Sequence, residues 1–93
     1  MSELPGLDDF ATCVGDRFRL GADGLEFEAE LVEAEPLGDA RDRPFALLFR
    51  VEEGPTLPQK IYPIEHDRLG RLELFLVPVG PDDVGMQYEA VFS

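Results

Sequence analysis

The sequence predicts a mainly β protein, a small antiparallel barrel or coiled meander sheet of about six strands with one short N-terminal helix. Two observations support this prediction. After Arg17 the spacing of apolar residues changes from about 3.6 to about 2, the period of a strand. Glycine and proline clusters then divide the chain into alternating segments without an internal repeat or linker. We therefore expect residues 1–93 to form a single β domain in which sequential strands pair.

A two-turn helix is predicted before the first strand. One apolar face recurs at helical spacing and consists of Leu7, Phe10, Ala11 and Val14. A helix this short is stable only when its apolar face packs on another surface. Both faces of the strand predicted at residues 71–80 are apolar, so we expect the helix to cover the outer face of that strand.

The first two strands are predicted to form a hairpin. Residues 17–20 alternate, and residues 21–24 contain two glycines suited to a tight turn. The second strand begins at Leu25, and its apolar phase inverts after Leu31. Such an inversion requires a bulge, or a strand whose buried face changes as the sheet coils. We favour the coil.

Four further strands are predicted at residues 45–52, 60–66, 71–80 and 86–92. Pro63 lies inside one of them, and proline has no N–H to donate to a ladder. That strand is therefore expected at a sheet edge or with this position facing outward. Residues 36–44 form a polar loop that contains Arg41 and Arg43, and it is the best candidate for a contact element.

The charge of the chain narrows the classes of partner. Twenty Asp and Glu residues against eight Lys and Arg give a net charge of −12 at pH 7. This charge opposes binding to nucleic acid or to an anionic membrane surface. No apolar run approaches the roughly 20 residues that span a bilayer, and no export signal is visible. We expect a cytoplasmic protein, or a component of a particle assembled in the cytoplasm, whose partner is a protein.

Short motifs along nearly the whole chain carry a family resemblance. They are Asp9-Phe10, Val14-Gly15, Pro44-Phe45, Leu57-Pro58-Gln59, Glu65-His66, Leu74-Phe75-Leu76-Val77-Pro78-Val79-Gly80 and Met86-Gln87-Tyr88-Glu89-Ala90-Val91-Phe92. In this order they resemble a family of small bacterial domains, domain of unknown function 6916. The resemblance implies a compact, stand-alone β domain. It also implies structural or assembly work, because family members are often encoded near phage-tail collar or fibre proteins, and it brings no catalytic pattern.

An acidic ridge is predicted on the second strand. Glu26, Glu28 and Glu30 alternate with apolar residues, so they project from one face about 7 Å apart. The ridge could bind Ca²⁺ or a basic partner, but a solvated strand face is the simpler interpretation. Asp82 and Asp83 lack the ligand spacing of a calcium loop and predict a polar hairpin turn.

His66 and Cys13 are the residues with catalytic potential. Adjacent strand residues point to opposite faces, so neither acidic neighbour faces His66, which predicts an exposed or turn-capping histidine. Cys13 is the single cysteine and is predicted to be a small apolar helix residue. A reaction centre would need the two together with a carboxylate, and neither has an evident partner. Without a recognisable catalytic, phosphate-binding or C-x-x-C motif, we predict a protein that is not an enzyme and uses no cofactor or metal.

Two functions remain as hypotheses. The first is a non-enzymatic structural or protein-interaction module, an accessory or assembly protein of a phage-tail-like particle with a tail-fibre or collar-type partner. Its contacts would come from strand edges, the acidic ridge and the loop with Arg41 and Arg43. The alternative is a small-ligand-binding barrel, favoured if an enclosed cavity lies among its aromatic residues. That pocket would be lined by Phe45, Phe49, Tyr62, Phe75 and Tyr88.

Overall fold

A computed structural model of the chain describes residues 5–38 and 44–92. The elements are α1 (Leu7–Ala11), β1 (Arg17–Ala22), β2 (Leu25–Pro36), β3 (Phe45–Val51), β4 (Lys60–His66), β5 (Gly70–Pro81) and β6 (Met86–Phe92). The strands form a closed antiparallel barrel, which confirms the predicted fold class. Arg41 and Arg43 of the predicted contact loop lie outside the described residues. In the described part of the chain, no helix has the length and apolar character needed to cross a membrane.

The strand order differs from the sequential meander that we predicted. The order around the barrel is β1-β2-β3-β6-β5-β4, so two three-stranded meanders are joined by the pairs β3–β6 and β1–β4. Alternation identifies a strand but not its neighbours, because every pairing presents the same period. Since the barrel is closed, each of the six described strands has a neighbouring strand on both sides. Strand-edge contacts are therefore limited to segments that pair on one side only, such as residues 25–29 of β2.

The first hairpin turn is shorter than predicted. β1 continues through Ala22, and Asp23 and Gly24 alone connect it to β2. Their φ angles are 54° and 77°. Two-residue hairpin turns of this type need positive φ at both positions, which glycine adopts freely and aspartate tolerates.

The inversion in β2 is a β-bulge and not the gradual coil that we favoured. Its pairing with β3 shifts between Leu31, opposite Phe49, and Glu33, opposite Leu48. The intervening Val32 is the extra residue of β2. The bulge resets the alternation, and Glu33 and the following carboxylates of β2 therefore point outward.

The ladder between β1 and β4 is the shortest in the barrel. It consists of the pairs Arg19–Glu65 and Leu20–Ile64. The next residue of β4 is Pro63, which has no N–H, and a Cβ at Gly21 would approach its Cγ to 3.3 Å. Of the two predicted arrangements, a strand at a sheet edge is not observed, and Pro63 lies where the β1–β4 ladder ends inside a closed barrel.

Two segments cover the ends of the barrel. At one end the ring of Phe10 in α1 lies with its centroid 6.0 Å from that of Phe45 and 5.5 Å from that of Phe92. At the other end, residues 52–59 cross from β3 to β4, and Leu57 is 4% exposed. These contacts bury apolar side chains that an open barrel end would expose to water.

The observed length and docking site of α1 both differ from the prediction. It ends at Ala11 rather than continuing to Val14, which is 46% exposed. It does not cover the outer face of β5, where Phe75 and Val79 are 49% and 51% exposed. The physical reason is that the rings of the barrel end offer Phe10 a deeper apolar site than the outer face of a strand does.

Candidate functional site

The fold brings three chemically active residues together at the end of the barrel that α1 covers. Ligand atoms of Cys13, Asp16 and His66 lie within 4.8 Å of one another, and we name these residues the His66 cluster. The first two belong to the connection between α1 and β1, and the third ends β4. The expectation that the histidine and cysteine have no partners is wrong, because Asp16 contacts His66. The two residues are 50 positions apart, so their spacing in the sequence gives no sign of the contact.

Both ring nitrogens of His66 are engaged. Nδ1 accepts the backbone N–H of Arg68 at 3.1 Å and of Leu69 at 3.3 Å, and Nε2 lies 2.9 Å from Oδ2 of Asp16. Because Nδ1 is an acceptor, Nε2 carries the proton and donates it to the carboxylate. The ring also packs on Phe18, with centroids 4.5 Å apart. The predicted turn-capping role is confirmed, whereas an exposed histidine is wrong, since only 5% of the residue is exposed.

Cys13 is fully buried just beyond the helix that was predicted to contain it. Its thiol donates to the carbonyl of Asp9 at 3.4 Å, and the guanidinium of Arg68 donates to the sulfur at 3.2 Å. Among the described residues, the sulfur makes no hydrogen bond with His66. A nucleophilic cysteine needs a hydrogen-bonded base and access to substrate. Here the His66 ring lies within 4.8 Å of the sulfur without a hydrogen bond to it, and Cys13 is fully buried.

The donors of the His66 cluster do not fit a metal ion. A histidine that binds a metal through Nε2 normally donates its Nδ1–H to an acceptor, whereas Nδ1 here faces two N–H donors. Arg68 also places a positive charge 3.2 Å from the sulfur. The cluster is therefore a structural link between the α1–β1 connection and the β4–β5 turn.

The predicted acidic ridge lies on the outer face of β2. Glu26, Glu28 and Glu30 line a surface depression of about 390 Å³. Arg17 lies 2.8 Å from Glu28, and Arg50 lies 3.4 Å from Glu30, so two of the three carboxylates already pair with cations of the same chain. This geometry matches a solvated strand face braced by neighbouring strands.

Asp82 forms the predicted polar turn between β5 and β6. Its Oδ1 accepts the N–H groups of Gly85 and Val84, both at 2.8 Å, and its Oδ2 lies 2.9 Å from the guanidinium of Arg50. The hydrogen bonds from Gly85 and Val84, followed by the contact with Arg50, lower the pKa of the Asp82 carboxyl below its ordinary value.

Four of the five aromatic residues predicted to line a pocket face the interior. They are at most 1% exposed: Phe45, Phe49, Tyr62 and Tyr88. The Tyr62 hydroxyl donates to the carbonyl of Pro58, and the N–H of Leu57 donates to the Tyr88 hydroxyl at 2.9 Å. Both hydroxyls therefore hold the segment that covers the barrel end. Phe75 does not join this group, because the inward phase of β5 places it on the outer face.

An exposed apolar row crosses the outer face of β4, β5 and β6. We name Ile61, Phe75 and Val91 the outer patch, and they are 61%, 49% and 55% exposed. Ile61 and Phe75 are direct cross-strand partners. Extending the β5–β6 register by two residues from the pair Val77–Glu89 sets Phe75 opposite Val91. The apolar pattern predicted that α1 covers this surface, so an exposed patch was not expected.

Carboxylates border the outer patch on the side of β2 and β3. Glu35 and Val91 lie on either side of Ala46, which pairs with both of them across β2, β3 and β6. Glu89 lies on the same face of β6 as Val91, two residues before it. A hydrogen bond with Glu35 and its negative charge raise the pKa of Glu33 above its ordinary value. Within the described part of the chain, Glu33, Glu35 and Glu89 form no ion pair with a basic side chain.

Comparison with protein-family models identifies a family. The family described as Domain of unknown function (DUF6916) matches residues 5–92. The matched range contains the helix and all six described strands of the barrel. No curated protein and no solved structure matches the chain.

Proposed function

The chain belongs to the DUF6916 family, and from this premise we propose that it is a non-enzymatic protein-interaction module that binds its partner through the outer patch. The observation that supports the proposal is the exposure of Phe75, 49% of which is accessible on the wall of a closed barrel. Exposed apolar residues that are contiguous across strands are typical of protein-binding surfaces. The outer patch, and not a strand edge, is therefore the proposed contact.

The proposed setting is an accessory or assembly role in a phage-tail-like particle, with a tail-fibre or collar-type protein as partner. The family resemblance supports this setting. A barrel whose two ends are covered by its own chain also suits incorporation as a rigid unit into a larger assembly. The small-ligand alternative is not favoured, because the hydroxyls of Tyr62 and Tyr88 already bond to backbone groups of this chain.

Lys60 allows a direct test of the outer patch. It is the only lysine in the chain and directly precedes Ile61. Its ammonium lies 5.5 Å from the centroid of the Tyr62 ring, so an amine-reactive crosslinker needs a long spacer arm to reach a partner on the outer patch. In an extract of the native host, we expect Lys60 to crosslink to one partner protein, identified by mass spectrometry. The Phe75→Ser variant should lose this crosslink. The control is Val84→Ser, because Val84 is also 49% exposed but lies in the turn between β5 and β6.

The outcomes separate the two parts of the proposal. Loss of a tail-fibre or collar-type partner in Phe75→Ser, with retention in Val84→Ser, supports both the interaction and the setting. Loss of a different protein supports the interaction and rejects the setting. Equal crosslinking of Phe75→Ser and the wild type, or no crosslinked protein at all, rejects the outer patch as the contact surface.

A further inference from the structure

The border of the outer patch indicates the chemistry of the surface that covers it. Resting on the proposed function, we propose that the partner presents an apolar centre flanked by Lys or Arg side chains. The apolar centre would cover Ile61, Phe75 and Val91. The basic side chains would contact the carboxylates of Glu33, Glu35 and Glu89, which we name the acidic border.

The acidic border is placed to receive cations. Glu33 and Glu35 project from the same face of β2, two residues apart, and a hydrogen bond with Glu35, followed by its negative charge, raises the pKa of Glu33. The border forms no ion pair within the described residues. A guanidinium or ammonium group beside these carboxylates would offset that negative charge and form charge-assisted hydrogen bonds. This differs from the acidic ridge, where Arg17 and Arg50 already pair with carboxylates.

Charge also argues against a second copy of this chain as the occupant. A two-fold dimer through the outer patch would bring the same surface of both copies together. When the two-fold axis runs along the apolar row, each acidic border lies against the other, and in every orientation the two molecules carry a net charge of −12 each. Repulsion between like charges at an interface disfavours such an association. A different protein with basic side chains around its apolar centre can cover the outer patch without this repulsion.

Three short peptides of equal length test this inference without knowledge of the natural partner. One joins a block of Leu to a block of Arg, one joins a block of Ser to a block of Arg, and one joins a block of Leu to a block of Glu. The two blocks lie side by side along the peptide, so the first can cover the outer patch while the second lies over the acidic border. Titration of the isotope-labelled protein, followed by NMR, gives an affinity for each peptide and maps its contacts by the shifts of amide signals.

We expect the Leu/Arg peptide to bind at least about ten-fold more tightly than either of the others, with amide shifts centred on the outer patch. Equal binding of the Ser/Arg peptide would show that charge alone acts. Equal binding of the Leu/Glu peptide would show that the acidic border has no role. Shifts confined to the acidic ridge, or a concentration-dependent dimer that Phe75→Ser abolishes, would likewise overturn the inference.

Two variants of equal charge change test whether the acidic border itself contributes to binding. The triple variant Glu33→Gln, Glu35→Gln and Glu89→Gln should weaken binding of the Leu/Arg peptide at least about ten-fold. The control is Glu26→Gln, Glu52→Gln and Glu53→Gln, which changes the net charge by the same amount at three residues that line the depression beside the acidic ridge. We expect the control to change the affinity less than about two-fold. Equal weakening by both variants would show that only overall charge acts.

The same variants separate this inference from the proposed function. In the crosslinking experiment, sensitivity to Phe75→Ser without sensitivity to the border variant supports the interaction and rejects the basic partner. Insensitivity to Phe75→Ser rejects the proposed function itself. Loss of the crosslink in Phe75→Ser and in the border variant, with no loss in the control variant at Glu26, Glu52 and Glu53, supports both the interaction and the basic partner.

Discussion

The His66 cluster and the outer patch show opposite relations between chemical character and availability. The cluster contains the cysteine, histidine and carboxylate that suggest catalysis, yet its groups bond to one another and to neighbouring backbone and arginine. The outer patch contains only hydrocarbon side chains, yet about half of each is exposed. In this barrel, the residue types that suggest catalysis are bonded within the protein, whereas the side chains that remain accessible on the outer patch are hydrocarbon.

The largest effect is expected from the His66→Ala variant. The substitution leaves the N–H groups of Arg68 and Leu69 and the carboxylate of Asp16 without their partner, and it creates a cavity beside Phe18. We expect a loss of about 2–4 kcal/mol in the free energy of unfolding, measured by urea denaturation. A loss below about 0.5 kcal/mol would show that the His66 cluster is not structural and would remove the contrast between it and the outer patch.

The thiol of Cys13 gives a second test of the cluster. The sulfur is fully buried, so a thiol reagent reaches it only after the chain opens. We expect the folded protein to react with a disulfide reagent at least about 100-fold more slowly than the protein in urea, followed by absorbance. Similar rates in the two conditions would reveal an accessible thiol and would reopen the catalytic interpretation.

Asp82 tests whether polar clusters outside the core also act structurally. Its lowered pKa means that the unfolded chain takes up a proton at higher pH than the folded chain does. Its contribution to stability is therefore present above its ordinary pKa of 3.8 and is lost as the pH falls below that value. We expect the difference in unfolding free energy between wild type and Asp82→Asn to shrink at low pH.

The control for this measurement is Asp83→Asn, in the same turn, where the side chain is exposed. Urea denaturation at a series of pH values gives the three stability profiles. We expect the profile of Asp83→Asn to follow that of the wild type. A difference between wild type and Asp82→Asn that grows on acidification would contradict the hydrogen-bonding assignment.

The smallest effect is expected from Phe75→Ser. Because the ring lies on the outer face and is half exposed, its replacement should change the free energy of unfolding by less than about 0.5 kcal/mol. Urea denaturation measures this change, and the amide spectrum should keep its dispersion. A loss above about 1 kcal/mol would show that the ring supports the fold, and the contrast with His66 would weaken.

Local chemistry made the strands predictable. Alternation located every strand to within a few residues, and Pro63 correctly marked a position where a ladder fails. The helix was predicted from the spacing of apolar residues, but its docking site was not, because a short apolar face fits several surfaces equally well. Strand order was also beyond local pattern, since the neighbours β1 and β4 are joined only through residues distant in sequence.

The candidate sites were less predictable than the fold. Asp16 and Cys13 reach His66 only after the barrel closes, and no sequence spacing encodes that contact. The outer patch was visible as apolar residues on both faces of β5, but this pattern alone could not distinguish a covered face from an exposed one. The phase inversion after Leu31 was the available signal for an outward Glu33 and Glu35, once it is interpreted as a bulge.

The short ladder at Pro63 gives the barrel a preferred place to open. Separating β1 from β4 breaks fewer backbone hydrogen bonds than separating any other neighbours, because only two residue pairs join these strands. The product is a curved sheet that runs from β1 at one border to β4 at the other. Hydrogen exchange of the amides at this junction should therefore precede global unfolding, and each opening briefly creates two strand borders that the resting molecule does not possess.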